Sequence, residues 1–112
     1  MSYDIFLDDE RPWKDDGYTV VCRTVYDFIN LIKERGLPNR VWFDHDMGSG
    51  QPTGADAAKW LVEYCIEHKL PLPHVGVHSQ NPCGRDNIKA ILRSSYKVIL
   101  DLINKNNVPD NS

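Results

Sequence analysis

Four short apolar runs alternate with longer segments of helical periodicity, and this alternation constrains the fold more than any other feature of the chain. The first run is followed by the second without a helix-length segment between them, whereas each of the other three is followed by an amphipathic segment. This β-β-α-β-α-β-α pattern is typical of a mainly parallel sheet covered by helices. The predicted strands are residues 4–7, 18–24 (YTVVCRT), 40–43 (RVWF) and 74–79 (HVGVHS).

Capping residues predict where the helices begin and end. Thr24 followed three residues later by Asp27 is a helix start signal, and Gly36 is a suitable C-cap for the same helix. Two further starts are predicted by the same reasoning, at Thr53 with Asp56 and at Asn81 with Pro82.

The length of 112 residues fits one domain that can bury a core without disulfides. We expect this domain to span residues 1–105 and residues 106–112 to be a disordered tail. The apolar and charged fractions, 41% and 26%, are ordinary for a globular protein. The net charge of −3 argues against a molecule built as a whole to neutralise a nucleic-acid backbone.

The cysteines and the termini indicate a compartment. Cys22, Cys65 and Cys83 are odd in number and none is at metal-ligand spacing, which favours free thiols in a reducing environment. The acidic N-terminal segment is unlike a signal peptide, and no apolar run approaches membrane-spanning length. We therefore expect a cytoplasmic protein without a membrane partner.

Polar clusters directly follow three of the predicted strands. Taken singly, each cluster has a structural explanation, such as capping a turn or a helix. Because the carboxyl ends of parallel strands meet at one edge of the sheet, the three together favour a functional site. Crowded carboxylates also require a compensating metal ion, arginine or proton. The clusters are Asp8, Asp9, Glu10 and Arg11; Asp44, His45 and Asp46; and His78, Ser79, Gln80 and Asn81.

Alternation along a strand leaves the side of His45 open. If the third strand stays regular, Asp44 and Asp46 point to one side and His45 to the other. The tryptophans Trp13, Trp42 and Trp60 are interpreted as packing residues rather than as base-stacking platforms.

These strand-end residues resemble the receiver domain of response regulators. Asp8 and Asp9 match its metal-binding acidic pair, Asp44 its phospho-acceptor and Ser79 its hydroxyl residue. The chain departs from that pattern because no fifth strand with its lysine follows.

Four motifs in order, LDDERP, FDHDMG, TGADAAKWL and VHSQNPCG, more closely resemble the cyclic-phosphate processing receiver domain, a family found in bacteria and their phages. The resemblance implies a receiver-like (flavodoxin-like) three-layer sandwich with a truncated, mainly parallel sheet of about four strands and no fifth strand. It also implies a role in processing cyclic phosphate ends of RNA or cyclic nucleotides.

The residue types suit such chemistry, which needs a base, an acid and positive charge on the phosphoryl oxygens. The histidines supply the base and the acid near neutral pH, and a neighbouring aspartate orients them. An arginine fork and the start of the last helix hold the anion. The predicted catalytic residues are His45, His78, Asp44 and Asp46, and the predicted substrate-binding residues are Arg11, Ser79, Asn81 and Gly84.

Other interpretations stay open. In one, no metal is required; in another, Asp8, Asp9 and Asp44 bind Mg²⁺ or Mn²⁺. A non-catalytic degenerate receiver would instead bind a cyclic nucleotide, a metal or a partner protein, and a phospho-accepting receiver would use Asp44. The exact substrate, a nucleotide or an RNA terminus, and the oligomeric state are left open by the sequence.

Overall fold

Four parallel strands form a single sheet in the computed structural model, which describes residues 3–13, 16–44, 47–48, 50–78 and 82–107. The strand order is β2-β1-β3-β4, and each neighbouring pair is parallel. The described elements are the strands β1 (Asp4–Leu7), β2 (Thr19–Cys22), β3 (Arg40–Phe43) and β4 (His74–Val77) and the helices α1 (Val25–Arg35), α2 (Gly54–His68) and α3 (Pro82–Asn107). This confirms the predicted receiver-like α/β class with a four-stranded parallel sheet.

The helices begin where their capping residues predict. The Thr24 hydroxyl accepts a hydrogen bond from the Asp27 amide at 3.0 Å, which satisfies an otherwise free N–H of the first turn of α1. Before α2, Thr53 and Asp56 form a reciprocal capping box. The Gly36 amide closes α1 on the carbonyl of Ile32 at 2.8 Å. Local side-chain chemistry therefore fixes these helix ends.

One face of the sheet packs against all three helices. The connections β2–α1–β3 and β3–α2–β4 cross the sheet in the same direction, so right-handed crossovers bring both helices to the same face. The strands contribute Ile5, Leu7, Val41 and Phe43 to this core, and the helices contribute Phe28, Ile32, Leu61, Cys65, Ile88 and Ile99.

The opposite face of the sheet is covered differently. The connection from β1 to β2 crosses in the other direction, so it passes over this second face, and none of its described residues is helical. Its Trp13 ring packs on Phe6 at 4.5 Å between centroids. Phe6, Trp42 and Gly76 are neighbours across three strands on this side. We call this side the loop-covered face, because the loop packs on it through Trp13 and no described helix does.

Helix α3 is long and amphipathic. Ile88 and Ile99 are buried in the core, whereas Tyr96 and Val98 are about half exposed. The helix continues to Asn107, two residues into the segment predicted as a disordered tail, and the rest of that segment lies outside the described residues. Among the helices described, none combines the length and the apolar character needed to cross a membrane.

Gly76 leaves room for the Trp42 ring. A Cβ atom at Gly76 would lie 2.3 Å from two carbons of that ring, a distance at which one of the two must move. Gly76→Ala is therefore expected to lower the free energy of unfolding by about 1–3 kcal/mol, as overpacking does. Chemical denaturation measures this change. A double variant that also carries Trp42→Leu tests the cause: if the loss persists unchanged in the double variant, the ring is not responsible.

Asp16 anchors the start of β2. Desolvation raises the pKa of its carboxyl, but hydrogen bonds from the Thr19 side chain, the Tyr18 and Thr19 amides and the Trp13 indole lower that pKa to about 2. Because the pKa is about 4 in the unfolded chain, the ionised carboxylate stabilises the fold above pH ~4 and this contribution is lost as pH falls towards 2. The free energy of unfolding, measured between about pH 4 and about pH 2, should show this loss in the wild type. If the free energy of unfolding of Asp16→Asn falls with pH in parallel with the wild type, the assignment to Asp16 is wrong.

The three thiols differ in accessibility. Burial raises the pKa of Cys22 to about 12 and that of Cys65 to about 11, whereas Cys83 is exposed. Because the thiolate is the reactive form, we expect one thiol of the native protein to react quickly with a disulfide reagent and two to react only after unfolding. Cys83→Ser should remove the fast reaction, and a fast phase that survives this substitution would refute the assignment.

Candidate functional site

Three side chains meet where β1, β3 and β4 end. Asp8, Asp44 and His78 each follow the last residue of their strand, and the ladder continues through them: the Asp44 amide donates to the Leu7 carbonyl at 3.0 Å and the His78 amide to the Phe43 carbonyl at 2.9 Å. This is the crevice at the carboxyl ends where the strand order reverses between β1 and β3. The structure thus brings together one residue from each predicted cluster.

Asp8 is the buried centre of this site. Its side chain is fully buried, and Oδ1 accepts hydrogen bonds from the amides of Glu10 at 3.0 Å and Arg11 at 2.8 Å. Burial by itself raises the pKa of this carboxyl. The two amides, together with the hydrogen bond and charge of His78, outweigh it and hold the pKa below the usual value. Asp8 is therefore a carboxylate at neutral pH.

His78 is fixed on two sides. Nε2 lies 3.1 Å from Oδ2 of Asp8, and the imidazole ring stacks on Phe6 with centroids 4.9 Å apart and planes 14° apart. Because the carboxylate can only accept, Nε2 carries the proton and Nδ1 of the neutral ring has a lone pair. Nδ1 is buried and has no hydrogen-bond partner among the described residues. An unpaired buried nitrogen of this kind calls for an explanation, such as a catalytic role or a bound water or ion.

Two arginines contact Asp8, one at its side chain and one at its backbone. Arg11 has a side chain that is 41% exposed; its Nε lies 3.8 Å from Oδ2 of Asp8 and its Nη1 donates to the His78 carbonyl at 3.1 Å. Arg23 donates to the backbone carbonyls of Asp8 at 3.2 Å and Arg11 at 2.6 Å. Sequence reasoning had included Arg11 but missed Arg23. Arg23 follows the last residue of β2, so applying the strand-end argument to β2 as well as to β1, β3 and β4 would have found it.

Ligand atoms of Asp8, Asp44 and His78 lie within 4.8 Å of one another, close enough to bind one metal ion. Two carboxylates and an imidazole form a mixed oxygen and nitrogen donor set, which suits Mn²⁺ better than the strongly oxygen-preferring Mg²⁺. Asp9, predicted as a ligand, is not in this group; its carboxylate lies near Gly48. Asp8 and Asp44, but not Asp9, therefore lie with His78 in a group that could hold a cation.

The other predicted site residues divide into two sets. Gly84 is buried in the first turn of α3. The remaining four, His45, Asp46, Ser79 and Asn81, lie outside the residues that the structure describes, so their predicted roles remain predictions.

The fold and the site together define a divergent receiver domain. A parallel β2-β1-β3-β4 sheet presents aspartates after β1 and β3, and a histidine follows β4. The chain belongs to the cyclic-phosphate processing receiver domain family, whose family model matches residues 3–94. This confirms the resemblance drawn from the four motifs. Searches of curated proteins and of solved structures give no significant match.

Proposed function

We propose that this protein is a phosphoesterase that opens cyclic phosphates of nucleotides or RNA ends, with His78 as a proton-transfer group. The observation that carries the proposal is the 3.1 Å contact between Nε2 of His78 and Asp8, in a crevice bordered by the partly exposed Arg11. Histidine transfers protons near neutral pH, and a buried carboxylate beside it orients the ring and stabilises its charged form. The family to which the chain belongs is named for the processing of cyclic phosphates.

The reaction requires one bond to form and one to break. A water oxygen bonds to phosphorus, the ring P–O bond breaks, and the proton lost by the water is balanced by a proton gained by the leaving ribose oxygen. We assign this exchange to Nδ1 of His78 while Nε2 stays bonded to Asp8, whose charge compensates that of the imidazolium. The exposed guanidinium of Arg11 is the group we assign to the phosphoryl oxygens. His45 is predicted to serve as the second acid–base group.

A divalent cation is compatible with the same residues. Asp8, Asp44 and His78 would hold it. When bound, the cation would supply positive charge that stabilises the phosphoryl oxygens. Turnover with Mg²⁺, with Mn²⁺ and with EDTA measures whether the reaction depends on such a cation.

Binding without turnover is the second candidate function. It is favoured by one observation: Nδ1, the nitrogen that would exchange protons while Nε2 stays bonded to Asp8, is buried, so a reacting group has to reach it through a covered site. A domain that only senses a cyclic nucleotide needs no such access.

A substrate panel tests the proposal. Purified protein is incubated with 2′,3′- and 3′,5′-cyclic nucleotides and with an RNA that ends in a 2′,3′-cyclic phosphate, each with Mg²⁺, with Mn²⁺ and with EDTA. We expect a phosphomonoester product from at least one cyclic substrate. Calorimetric binding of a cyclic nucleotide without product under all three conditions would support the second candidate, and neither binding nor product would reject both.

A further inference from the structure

We call the crevice of Asp8, Asp44 and His78 the phosphate site. On the loop-covered face, this site is continuous with an aromatic surface. Asp8 and Asp44 lie two residues beyond Phe6 and Trp42 along their strands, so by alternation all four side chains share one face. One strand repeat of about 7 Å separates the two rows. The Trp42 indole therefore lies next to the carboxylates and not on the core side of the sheet.

Trp42 lies flat on the sheet. Its six-membered ring occupies the position where a side chain at residue 76 would begin, which is open because residue 76 is glycine. The guanidinium of Arg40 lies 5.5 Å from the centroid of the ring. The Trp42 side chain is partly buried, so part of its surface is open to solvent.

Trp13 extends this surface towards His78. Its ring centroid lies 6.4 Å from that of Trp42 with the planes tilted by 34°, and 4.5 Å from that of Phe6. Phe6 in turn stacks on His78 at 4.9 Å, so the rings of Trp13 and His78 are less than 9.5 Å apart. One small ligand can therefore contact both rings.

The two indoles differ from the tryptophan of the core side. Trp60 packs on Phe28 and Tyr64 in the helix layer, away from the phosphate site. All three tryptophans are partly exposed, but only Trp13 and Trp42 lie beside the site, next to Phe6, which is 5% exposed. Flat aromatic rings in this position are the kind of surface on which nucleobases stack.

We infer that Trp13 and Trp42 form a nucleobase-binding surface, so that the substrate class is a nucleotide or nucleotide end and not a base-free cyclic phosphate. The inference rests on the proposed function. It revises the interpretation of these two tryptophans as packing residues only, and it assigns them to specificity rather than to the chemical step.

Paired substrates test this inference. The KM is measured for 2′,3′-cyclic AMP and for methyl riboside 2,3-cyclic phosphate, which has the same cyclic ester and no base. In Trp13→Leu and Trp42→Leu we expect the KM for the nucleotide to rise by roughly 5- to 150-fold, the range that loss of one stacking contact predicts, and the KM for the base-free ester to stay unchanged. Trp42→Phe, which keeps an aromatic ring, should raise the KM for the nucleotide less than Trp42→Leu does. Trp60→Leu is the matched control and should leave both KM values unchanged.

The base-free ester separates the outcomes. If the wild type has the same KM for both esters, or if the leucine variants raise both KM values equally, the base surface is rejected while the proposed function stands. If the wild type neither binds nor opens either ester, the proposed function fails and this inference fails with it.

Fluorescence gives a second measurement, in which both Trp13 and Trp42 stay in place. The chain has three tryptophans, so Trp60→Phe leaves only Trp13 and Trp42 as reporters. The cyclic nucleotide should quench their emission, and the base-free ester should not. Equal responses to the two esters would overturn the inference.

Discussion

Replacing His78 by alanine is expected to lower kcat/KM for the best cyclic substrate by roughly 10²–10⁴-fold, the usual contribution of a positioned acid–base group. The physical reason is the contact of Nε2 with the Asp8 carboxylate, which orients the only described histidine of the crevice. His78→Gln makes the experiment sharper, because the glutamine amide can still donate to Asp8 but cannot exchange protons near neutral pH. We expect the glutamine variant to be as inactive as the alanine variant.

His74 supplies the matched control for this prediction. It is the first residue of β4, four residues before His78, and is exposed at the end of the strand away from the site. His74→Ala should leave kcat/KM within about twofold of the wild type. Wild-type activity in His78→Gln would show that His78 acts only as a hydrogen-bond donor that maintains the site.

Replacing Phe28 by alanine should have the largest effect on stability. Phe28 is fully buried and connects two layers, since its ring packs on Phe43 of β3 at 5.7 Å and on Trp60 of α2 at 6.1 Å. Loss of a buried phenylalanine ring costs about 3–5 kcal/mol, a large part of the ~5–15 kcal/mol that stabilises a typical domain. We expect the midpoint of thermal unfolding to fall by roughly 12 °C or more.

Tyr26 provides the comparison within the same helix. Its side chain is 61% exposed, so Tyr26→Ala should change the free energy of unfolding by no more than ~0.5 kcal/mol. Urea denaturation of the two variants beside the wild type measures the difference. Similar losses in both variants would show that the burial of Phe28 does not set the cost, since alanine is the better helix former at both positions.

The strands and helix starts were predictable because their causes are local. The apolar runs of β1 and β3 are bounded by polar residues, and the observed strands Asp4–Leu7 and Arg40–Phe43 coincide with the predicted ones. Thr53 with Asp56 begins α2 through contacts made within three residues. Such signals need no knowledge of the remaining chain.

The composition of the site was predictable in part. The strand-end argument selected Asp8, Asp44, His78 and Arg11 correctly as neighbours. It did not separate Asp8 from Asp9, because both follow the same strand and only the turn that hydrogen-bonds Asp8 to the amides of Glu10 and Arg11 distinguishes them. It also gave no reason to connect Trp13 with the site.

The sequence by itself determined the elements, their parallel arrangement and the family, since these depend on periodicity, capping and motifs that are read along the chain. Only the tertiary structure decided which face of the sheet holds the site. Asp44 faces the loop-covered side, with Asp8, His78 and the two indoles, while the three helices cover the other side. The reason is that His78 meets Asp8 across 70 residues of chain, and contacts at that separation depend on strand register and crossover direction, which no local pattern specifies.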